Sequence, residues 1–266
     1  PPLKEGISKF EGVNRDVRFE NVRFGYGDKE ILHGVSLEFE QGTTTALVGE
    51  SGSGKSTLAK LLVHYYDLDD GKILIGGQDI TDMSLEALNN EVSYVSQEQF
   101  LFNTTLYENI LVGKPDATRE KVLEAASKAQ CDEFIKKLPD GIETIAGDGG
   151  KQLSGGERQR ISLARAILKD APIIVLDEAT AFADPENEVQ IQKALTELTE
   201  GKTVIMIAHR LSAIQGVDQI LVMKDGELAE QGNHTALLEK DGIYAHMWKD
   251  YIKTTKWHVG NEVMTC

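Results

Sequence analysis

Apolar and polar residues alternate along two early segments of the chain. The first segment places Val17, Phe19, Val22 and Phe24 among polar neighbours, and the second does the same with Val35, Leu37 and Phe39. Because successive side chains of a strand point to opposite faces of the sheet, this alternation predicts strands with one buried face. The turn residues Gly25-Tyr26-Gly27-Asp28 lie between the two segments. We therefore expect an antiparallel sheet near the start of the chain.

From Thr43 onward, short apolar runs alternate with helical patterns. Ala46-Leu47-Val48 leads into a glycine-rich loop and a helix predicted over Lys55 to Tyr65. Further strands are predicted near Ile73 to Ile75, Val92 to Val95, Ile173 to Leu176, Thr203 to Ile207, Gln219 to Met223 and Glu227 to Glu230. Helical patterns dominate from about residue 97 to residue 171, a helix opens at Asp184-Pro185, and terminal helices run to about Lys253. This alternation indicates a mostly parallel sheet with flanking helices and a helical insertion.

The glycine-rich loop has a spacing with a specific chemical use. Gly49-Glu50-Ser51-Gly52-Ser53-Gly54-Lys55-Ser56 fits the phosphate-loop pattern G-x-x-x-x-G-K-[ST], between a predicted strand and a predicted helix. Glycines let backbone N–H groups surround a phosphate chain, and the helix N-terminus adds positive potential. Lys55 is predicted to bridge the β- and γ-phosphates, and Ser56 to ligate Mg²⁺. The predicted nucleotide-binding residues of this segment are Gly49, Ser51, Gly52, Ser53, Gly54, Lys55, Ser56 and Thr57.

Two carboxylates end the apolar run Ile173-Ile174-Val175-Leu176. At the tip of a strand beside a phosphate loop, Asp177 can hold Mg²⁺ directly or through water. Glu178, the next residue, can orient and deprotonate an attacking water. The alternative is that both are surface acids that only end a strand.

Leu153-Ser154-Gly155-Gly156-Glu157 precedes a helical run from Arg158 to Lys169. Ser154 and Glu157 have the S-x-x-E spacing of a capping box, so the segment predicts a helix start whether or not it binds a ligand. The same five residues match the LSGGQ signature of ATP-binding-cassette (ABC) proteins, with Glu157 in place of the common Gln. The chain resembles that family from about Val17 to Tyr251, with the family's motifs in order.

The resemblance implies roles for four residues outside these motifs. Tyr26 resembles the aromatic residue that stacks on adenine. Gln97 resembles the glutamine that reaches Mg²⁺ and couples to the membrane domain, and His209 resembles the switch histidine that contacts the γ-phosphate. Asp184 matches the family's D-loop aspartate, although it also suits an N-cap before Pro185.

The cofactors implied are ATP and Mg²⁺. Lys55, Glu178 and His209 are then the expected catalytic residues, and Ser56, Gln97 and Asp177 the expected residues at the metal. The resemblance further implies that Ser154, Gly155 and Gly156 bind ATP held by a partner chain. A complete site then requires a head-to-tail dimer of two identical or two related chains around two ATP molecules.

The fold class that follows is α/β. The expected architecture is a P-loop NTPase core, a mostly parallel sheet with flanking helices, with an N-terminal antiparallel β subdomain and an inserted α-helical subdomain. The ABC ATPase domain is expected over residues 17–254, with its core at 17–96 and 171–254 and the helical subdomain at 97–170. Residues 1–16 are expected to be a linker from an upstream membrane domain, and residues 255–266 a C-terminal tail.

Charge, cysteine content and two further segments bear on whether the chain is a nucleic-acid-binding cassette or an exporter cassette. The net charge of −15 opposes nucleic-acid binding, and two cysteines, Cys131 and Cys266, are too few for a zinc cage or a disulfide framework. The segments Gln97 to Phe102 and Thr105 to Ile110 resemble the exporter type, whose apolar patch receives coupling helices of the membrane part. In contrast, Thr144 to Gly150 departs from the exporter pattern T-x-V-G-E-R-G, because Asp148 replaces the glutamate and the arginine is absent.

The favoured function is therefore the ATP-hydrolysing motor domain of an ABC exporter. Its expected location is the cytoplasmic face of the cell membrane, and its expected partner is a transmembrane permease domain upstream in the same natural chain, since this sequence begins at Pro1 and has no apolar run long enough to cross a bilayer. The alternatives are a soluble ABC ATPase that acts on nucleic acid or ribosomes, and a regulatory module that binds ATP without turnover.

Overall fold

The computed structural model describes residues 3, 5–96, 98–177 and 185–262. Its strands are β1 (Val17–Tyr26), β2 (Lys29–Phe39), β3 (Thr44–Val48), β4 (Asp70–Ile75), β5 (Gln78–Asp79), β6 (Val92–Val95), β7 (Ile173–Asp177), β8 (Thr203–Ile207), β9 (Gln219–Lys224) and β10 (Glu227–Gly232). Its α-helices are α1 (Lys55–Leu62), α2 (Leu85–Glu91), α3 (Leu106–Leu111), α4 (Arg119–Lys128), α5 (Asp132–Lys137), α6 (Gly155–Lys169), α7 (Pro185–Thr199), α8 (His234–Glu239) and α9 (Ile243–Glu262). The chain forms two compact units. The first contains Glu11–Asp82 and the described residues from Ile205 onward, and the second contains Met83–Val204 together with Ile7–Phe10.

An antiparallel sheet forms one layer of the first unit, with strand order β2-β1-β4-β5. Val17 pairs with Phe39, and the register shifts between Phe19 and Val22, where Asn21 has φ +48°. This bulge explains why the buried positions of β1 skip from Phe19 to Val22 instead of continuing with a strict period of two. The predicted antiparallel sheet is confirmed.

The first unit also contains parallel strands. Strand β3 pairs in parallel with β9, Ala46 lying opposite Ile220, and β10 pairs antiparallel with β9. On the other side of β3, the Ala208 N–H just after β8 donates to the Leu47 carbonyl at 3.0 Å. Apolar residues of these strands pack with Leu237 of α8 and Tyr244 of α9, which forms the core of this region.

The second unit pairs β6 and β7 in parallel, so that Val92 lies opposite Ile173 and Val95 opposite Leu176. Helix α6, with 15 residues, packs against α3, α4 and α7 of this unit. Thr203, at the start of β8, donates its N–H to the Pro172 carbonyl at 3.1 Å within this unit. Parallel strands covered by helices confirm the predicted α/β class.

Element ends differ from the sequence prediction at two helices. Helix α1 ends at Leu62 rather than near Tyr65, because His64 adopts φ +55° and stops the helical path. Helix α9 continues to Glu262, nine residues past the predicted end at Lys253. The domain boundaries at residues 17, 97, 171 and 254 stay predictions. Among the described residues, every helix is too short or too polar to span a bilayer.

Candidate nucleotide-binding site

The loop between β3 and α1 has a backbone that only glycine adopts readily. Gly49, Gly52 and Gly54 have φ values of +148°, +80° and +104°. A Cβ on Gly49 would lie 2.2 Å from the Met223 carbonyl oxygen, and a Cβ on Gly54 would lie 2.5 Å from Leu32 Cδ2. The loop is therefore packed closely on β9 and β2 of the same unit, which holds its curved path in place.

Lys55 lies inside this loop. Its side chain is buried at 4% exposure, and Nζ donates to the carbonyl oxygens of Gly49 and Glu50 at 2.8 and 2.9 Å and to Ser53 Oγ at 3.3 Å. These three acceptors are neutral oxygens, whereas a phosphate oxygen carries charge and accepts a stronger hydrogen bond from an ammonium group. The ammonium group therefore lies within the loop, where a phosphate oxygen would be a stronger acceptor than these neutral oxygens.

The first turn of α1 adds donors beside Lys55. The helical hydrogen bonds of α1 begin with the Leu58 N–H, which donates to Gly54 O at 3.0 Å. The preceding N–H groups belong to the first turn, which has no intrahelical acceptors, and they concentrate the positive end of the helix dipole. Ser56 and Thr57 lie in this turn, Ser53 is buried within the loop, and Ser51 is on its exposed side. The arrangement fits a phosphate chain.

Tyr26 and His209 lie in the same unit as the loop. Tyr26 is the last residue of β1, is 42% exposed, and has its hydroxyl 3.5 Å from Thr57 Oγ1 in the first turn of α1. His209 is exposed two residues after β8, directly after Ala208, whose N–H bonds to the strand that leads into the loop. The structure therefore brings Lys55, Ser56 and the predicted base-stacking residue together, and it places His209 at the end of a strand beside β3.

Asp177 is the last residue of β7, in the second unit. Tyr94 of the neighbouring strand β6 donates its hydroxyl hydrogen to Asp177 Oδ2 at 2.7 Å. The strand predicted over Val92 to Val95 contains Tyr94, but the sequence assigned this residue no role in the site. Pairing β6 with β7 in parallel would have found it, because Tyr94 then lies opposite Val175, two residues from Asp177.

Each unit holds an oxygen donor of a kind that Mg²⁺ takes. In the first unit Ser56 has a hydroxyl at the start of α1, and in the second unit Asp177 has a carboxylate that is oriented by Tyr94. Hydroxyl and carboxylate oxygens are the ligands that Mg²⁺ takes alongside phosphate oxygens. Gln97, Glu178 and Asp184, which the sequence assigns to the metal, the attacking water and the D-loop, lie outside the described residues.

The signature segment begins α6 as the capping box predicts. The Glu157 N–H donates to Ser154 Oγ at 3.2 Å, and the Ser154 N–H donates to Glu157 Oε2 at 2.8 Å. Gly155 and Gly156 open the helix, and a Cβ on Gly156 would lie 2.7 Å from the Asn187 side chain of α7. The prediction of a capped helix start is confirmed.

Arg160 ties this helix start to its neighbours within the second unit. Its guanidinium donates to Gly156 O at 3.4 Å, to Gln130 O at 2.8 Å and to Asn187 Oδ1 at 3.0 Å. The ring of Phe134 lies under the guanidinium at 4.9 Å. The N-terminus of α6 is therefore positioned by a buried cation rather than by helix propensity alone.

Comparisons with known proteins show which family the chain resembles. A family model described as ABC transporter matches residues 32–181. The chain is 49% identical over 245 residues to an ATP-dependent lipid A-core flippase of Legionella pneumophila strain Paris, covering 92% of this chain and 42% of that protein. It is 46% identical over 248 residues to the ATP-dependent lipid A-core flippase of Escherichia coli K12, covering 92% and 43%.

A solved structure gives the same result for the fold. The structure described as a bacterial Atm1-family ABC exporter with ATP bound superposes with a TM-score of 0.86 at 44% identity, over 92% of this chain and 43% of that one. The chain thus spans less than half the length of the relatives that it matches.

Proposed function

Because the chain belongs to the ABC transporter family, we propose that it is the ATP-binding and ATP-hydrolysing motor of an exporter. The observation that carries this proposal is the buried ammonium group of Lys55 inside a glycine loop at the start of α1. The roles of the other site residues are assigned from their positions in the family's motifs, with Lys55 as the reference point.

In the proposed mechanism, Lys55 and the first N–H groups of α1 hold the β- and γ-phosphates. Tyr26 stacks on the base, and His209 contacts the γ-phosphate. Ser56, Asp177 and Gln97 would hold Mg²⁺, which supplies charge neutralisation at the phosphates when bound. Glu178 orients the attacking water and takes its proton, the γ-phosphoryl group is transferred to that water, and the bond to the bridging oxygen breaks so that ADP leaves.

A second cassette completes the proposed site. Ser154, Gly155 and Gly156 stand at the N-terminus of α6, whose dipole favours an anion. The proposal places these residues against ATP that is bound to a partner cassette, identical or related, in a head-to-tail pair. ATP then closes the pair, and hydrolysis removes the γ-phosphate contacts and reopens it.

The proposed contact with a permease domain lies in the second unit. Phe100 and Phe102 are 58% and 49% exposed, and their rings stand perpendicular at a centroid distance of 5.3 Å. Val112, after α3, is also exposed. Exposed apolar groups of this kind mark interaction surfaces. They support a contact surface for a permease, which in this proposal is fused upstream in the natural chain and holds this domain at the cytoplasmic face of the membrane.

A soluble cassette ATPase that acts on nucleic acid or ribosomes has less support. The relatives compared above are named as flippases or as an exporter. The net charge of −15 also opposes binding to phosphodiester backbones.

The first experiment measures ATP affinity by calorimetry. Lys55→Ala should weaken ATP binding by about 10- to 100-fold, because charge-assisted hydrogen bonds to the phosphates are lost. Lys114→Ala, which removes an exposed lysine, is the matched control. Undiminished affinity in Lys55→Ala would contradict the phosphate-loop assignment.

The second experiment measures phosphate release and size-exclusion behaviour. Glu178→Gln should lower turnover by orders of magnitude and leave a dimer that ATP stabilises, because nucleotide still closes the pair but the water is not deprotonated. Unchanged turnover would remove Glu178 as the base. A variant that remains monomeric with ATP would argue against the head-to-tail pair.

A further inference from the structure

Three aromatic rings of the first unit touch one another beside the nucleotide loop. Phe24 and Tyr26 of β1 have centroids 5.0 Å apart, and the ring of Tyr66 lies 5.4 Å from each of them. The rings of Phe24 and Tyr66 both stand nearly perpendicular to Tyr26, at 88° and 86°. Perpendicular contacts at these distances are favourable for aromatic pairs. Tyr26 is therefore supported by two rings while 42% of it stays exposed.

The segment that carries Tyr66 is fixed on both sides. Before it, the imidazole of His64 is buried at 2% exposure, and its Nε2 lies 2.9 Å from Asp67 Oδ1, so this pair brackets Tyr66. The turn that ends α1 is closed by hydrogen bonds from the N–H groups of His64 and Tyr65 to the carbonyls of Leu61 and Lys60. Tyr66 thus lies on a hydrogen-bonded turn that begins at the C-terminal end of α1.

After Tyr66, the chain is bonded to the strand that carries Tyr26. The Asp69 N–H donates to Arg23 O at 3.1 Å, and the Gly25 N–H donates to Asp69 Oδ2 at 2.8 Å. Gly25 directly precedes Tyr26. Hydrogen bonds therefore join the backbone segments that carry Tyr26 and Tyr66. These bonds keep the two rings within contact distance.

We propose that Tyr66 is a positioning residue for the nucleotide base: it sets the ring orientation of Tyr26 and so strengthens base stacking without contacting the base. This inference rests on the proposed function, which assigns Tyr26 to the base. The physical reason is preorganisation, because a ring that is already oriented loses less side-chain entropy when the base binds.

The test compares ATP with inorganic tripolyphosphate, which has the phosphates but no base, as ligands of the 266-residue chain. Tyr66→Leu should weaken ATP binding by about two- to tenfold, the range that the loss of an aromatic pair contact implies. Its affinity for tripolyphosphate should equal that of the wild type. Tyr66→Phe keeps the ring and should retain the affinity that Tyr66→Leu loses. Tyr65→Leu, at the more exposed neighbouring tyrosine, is the matched control.

A double-mutant cycle separates support of Tyr26 from direct contact with the base. In a Tyr26→Leu background, Tyr66→Leu should cause no further loss of ATP affinity, because the ring that it orients is gone. Additive losses would overturn the proposal, since Tyr66 would then bind the base itself. An equal loss for ATP and tripolyphosphate would also overturn it, since the damage would not concern the base.

The failure of this inference is distinguishable from the failure of the proposed function. If Tyr26→Leu weakens ATP binding but Tyr66→Leu does not, only the role of Tyr66 is wrong. If Tyr26→Leu leaves the ratio of ATP to tripolyphosphate affinity unchanged, the assignment of Tyr26 to the base is wrong. Circular dichroism verifies the fold of each variant, and Tyr66→Met is the second non-aromatic variant should Tyr66→Leu not fold.

Discussion

The hydroxyl of Tyr94 donates a hydrogen bond to Asp177 Oδ2 at 2.7 Å across the neighbouring strands β6 and β7. This bond orients a carboxylate that is proposed to hold Mg²⁺, and outer hydrogen bonds of this kind tune the affinity of a metal site. Tyr94 therefore helps to orient a ligand of the proposed metal site. The sequence alone does not indicate this role, because tyrosine is common in strands.

Tyr94→Phe removes this hydrogen bond and keeps the ring. We expect the Mg²⁺ concentration for half-maximal ATP hydrolysis to rise by about 3- to 10-fold, because the carboxylate of Asp177 loses the hydrogen bond that orients it. Binding of ATP in the presence of EDTA, measured by calorimetry, should not change. Tyr107→Phe in α3 is the matched control. An equal effect of Tyr94→Phe with and without Mg²⁺ would show that the bond supports the fold rather than the metal site.

Two glycines of the phosphate loop should differ in their tolerance of alanine. Gly49 and Gly52 both have positive φ, but only at Gly49 would a Cβ meet the backbone, 2.2 Å from Met223 O, whereas at Gly52 it would meet nothing within 4 Å. Gly52→Ala should cost about 1–2 kcal/mol of unfolding free energy from backbone strain alone. Gly49→Ala should cost more and abolish ATP binding. Urea denaturation and calorimetry measure both, and equal stability of the two variants would contradict the close packing of the loop.

Asn109 and Arg165 together hold the loop that carries Phe100 and Phe102. Asn109 is fully buried, accepts from the Phe102 N–H at 2.8 Å, and donates to the carbonyls of Phe102 and Thr105 at 3.0 Å. Arg165 of α6 donates to Asn109 O at 2.8 Å, and burial lowers the pKa of its guanidinium. Asn109 therefore links the exposed aromatic pair to the helix that begins with the signature segment.

Asn109→Ala leaves several of these groups without partners. We expect it to lower the free energy of unfolding by about 2–4 kcal/mol, since buried unsatisfied polar groups are costly. The control is Asn90→Ala, at an exposed position of α2, which should change stability by less than about 0.5 kcal/mol. Urea denaturation measures the free energy of unfolding of both variants. Similar values would mean that the hydrogen bonds of Asn109 are not needed to hold the loop.

Cys131 should be unreactive in the native protein. Its side chain is fully buried, and burial raises the pKa of the thiol to about 12. Because the thiolate is the nucleophile, the group stays protonated and inert below that pH. In a Cys266→Ser background, a disulfide reagent at pH 8 should leave the native protein unmodified and react within minutes after guanidinium unfolding. Rapid reaction of the native protein would contradict the burial of Cys131.

Local patterns in the sequence predicted the elements whose rules are local. The loop from Gly49 to Ser56 and the capping box of Ser154 and Glu157 formed as expected, because their hydrogen bonds join residues a few positions apart. Strands β6 and β8 matched the predicted ranges to the residue, and in β8 the continuous apolar run from Val204 to Ile207 is typical of a buried strand. The end of α1 was missed because Val63-His64-Tyr65 contains no glycine or proline to mark the left-handed turn that His64 makes at φ +55°.

The sequence by itself determined the phosphate loop, the capped start of α6 and the α/β class, because glycine spacing, capping residues and apolar periodicity act over short distances along the chain. Only the tertiary structure decided that Tyr94 bonds to Asp177 and that Tyr66 supports Tyr26. These pairs are separated by 83 and by about 40 residues, and strand register and the turn after α1 bring them together. Contacts between distant residues follow from packing and register, which no local pattern specifies.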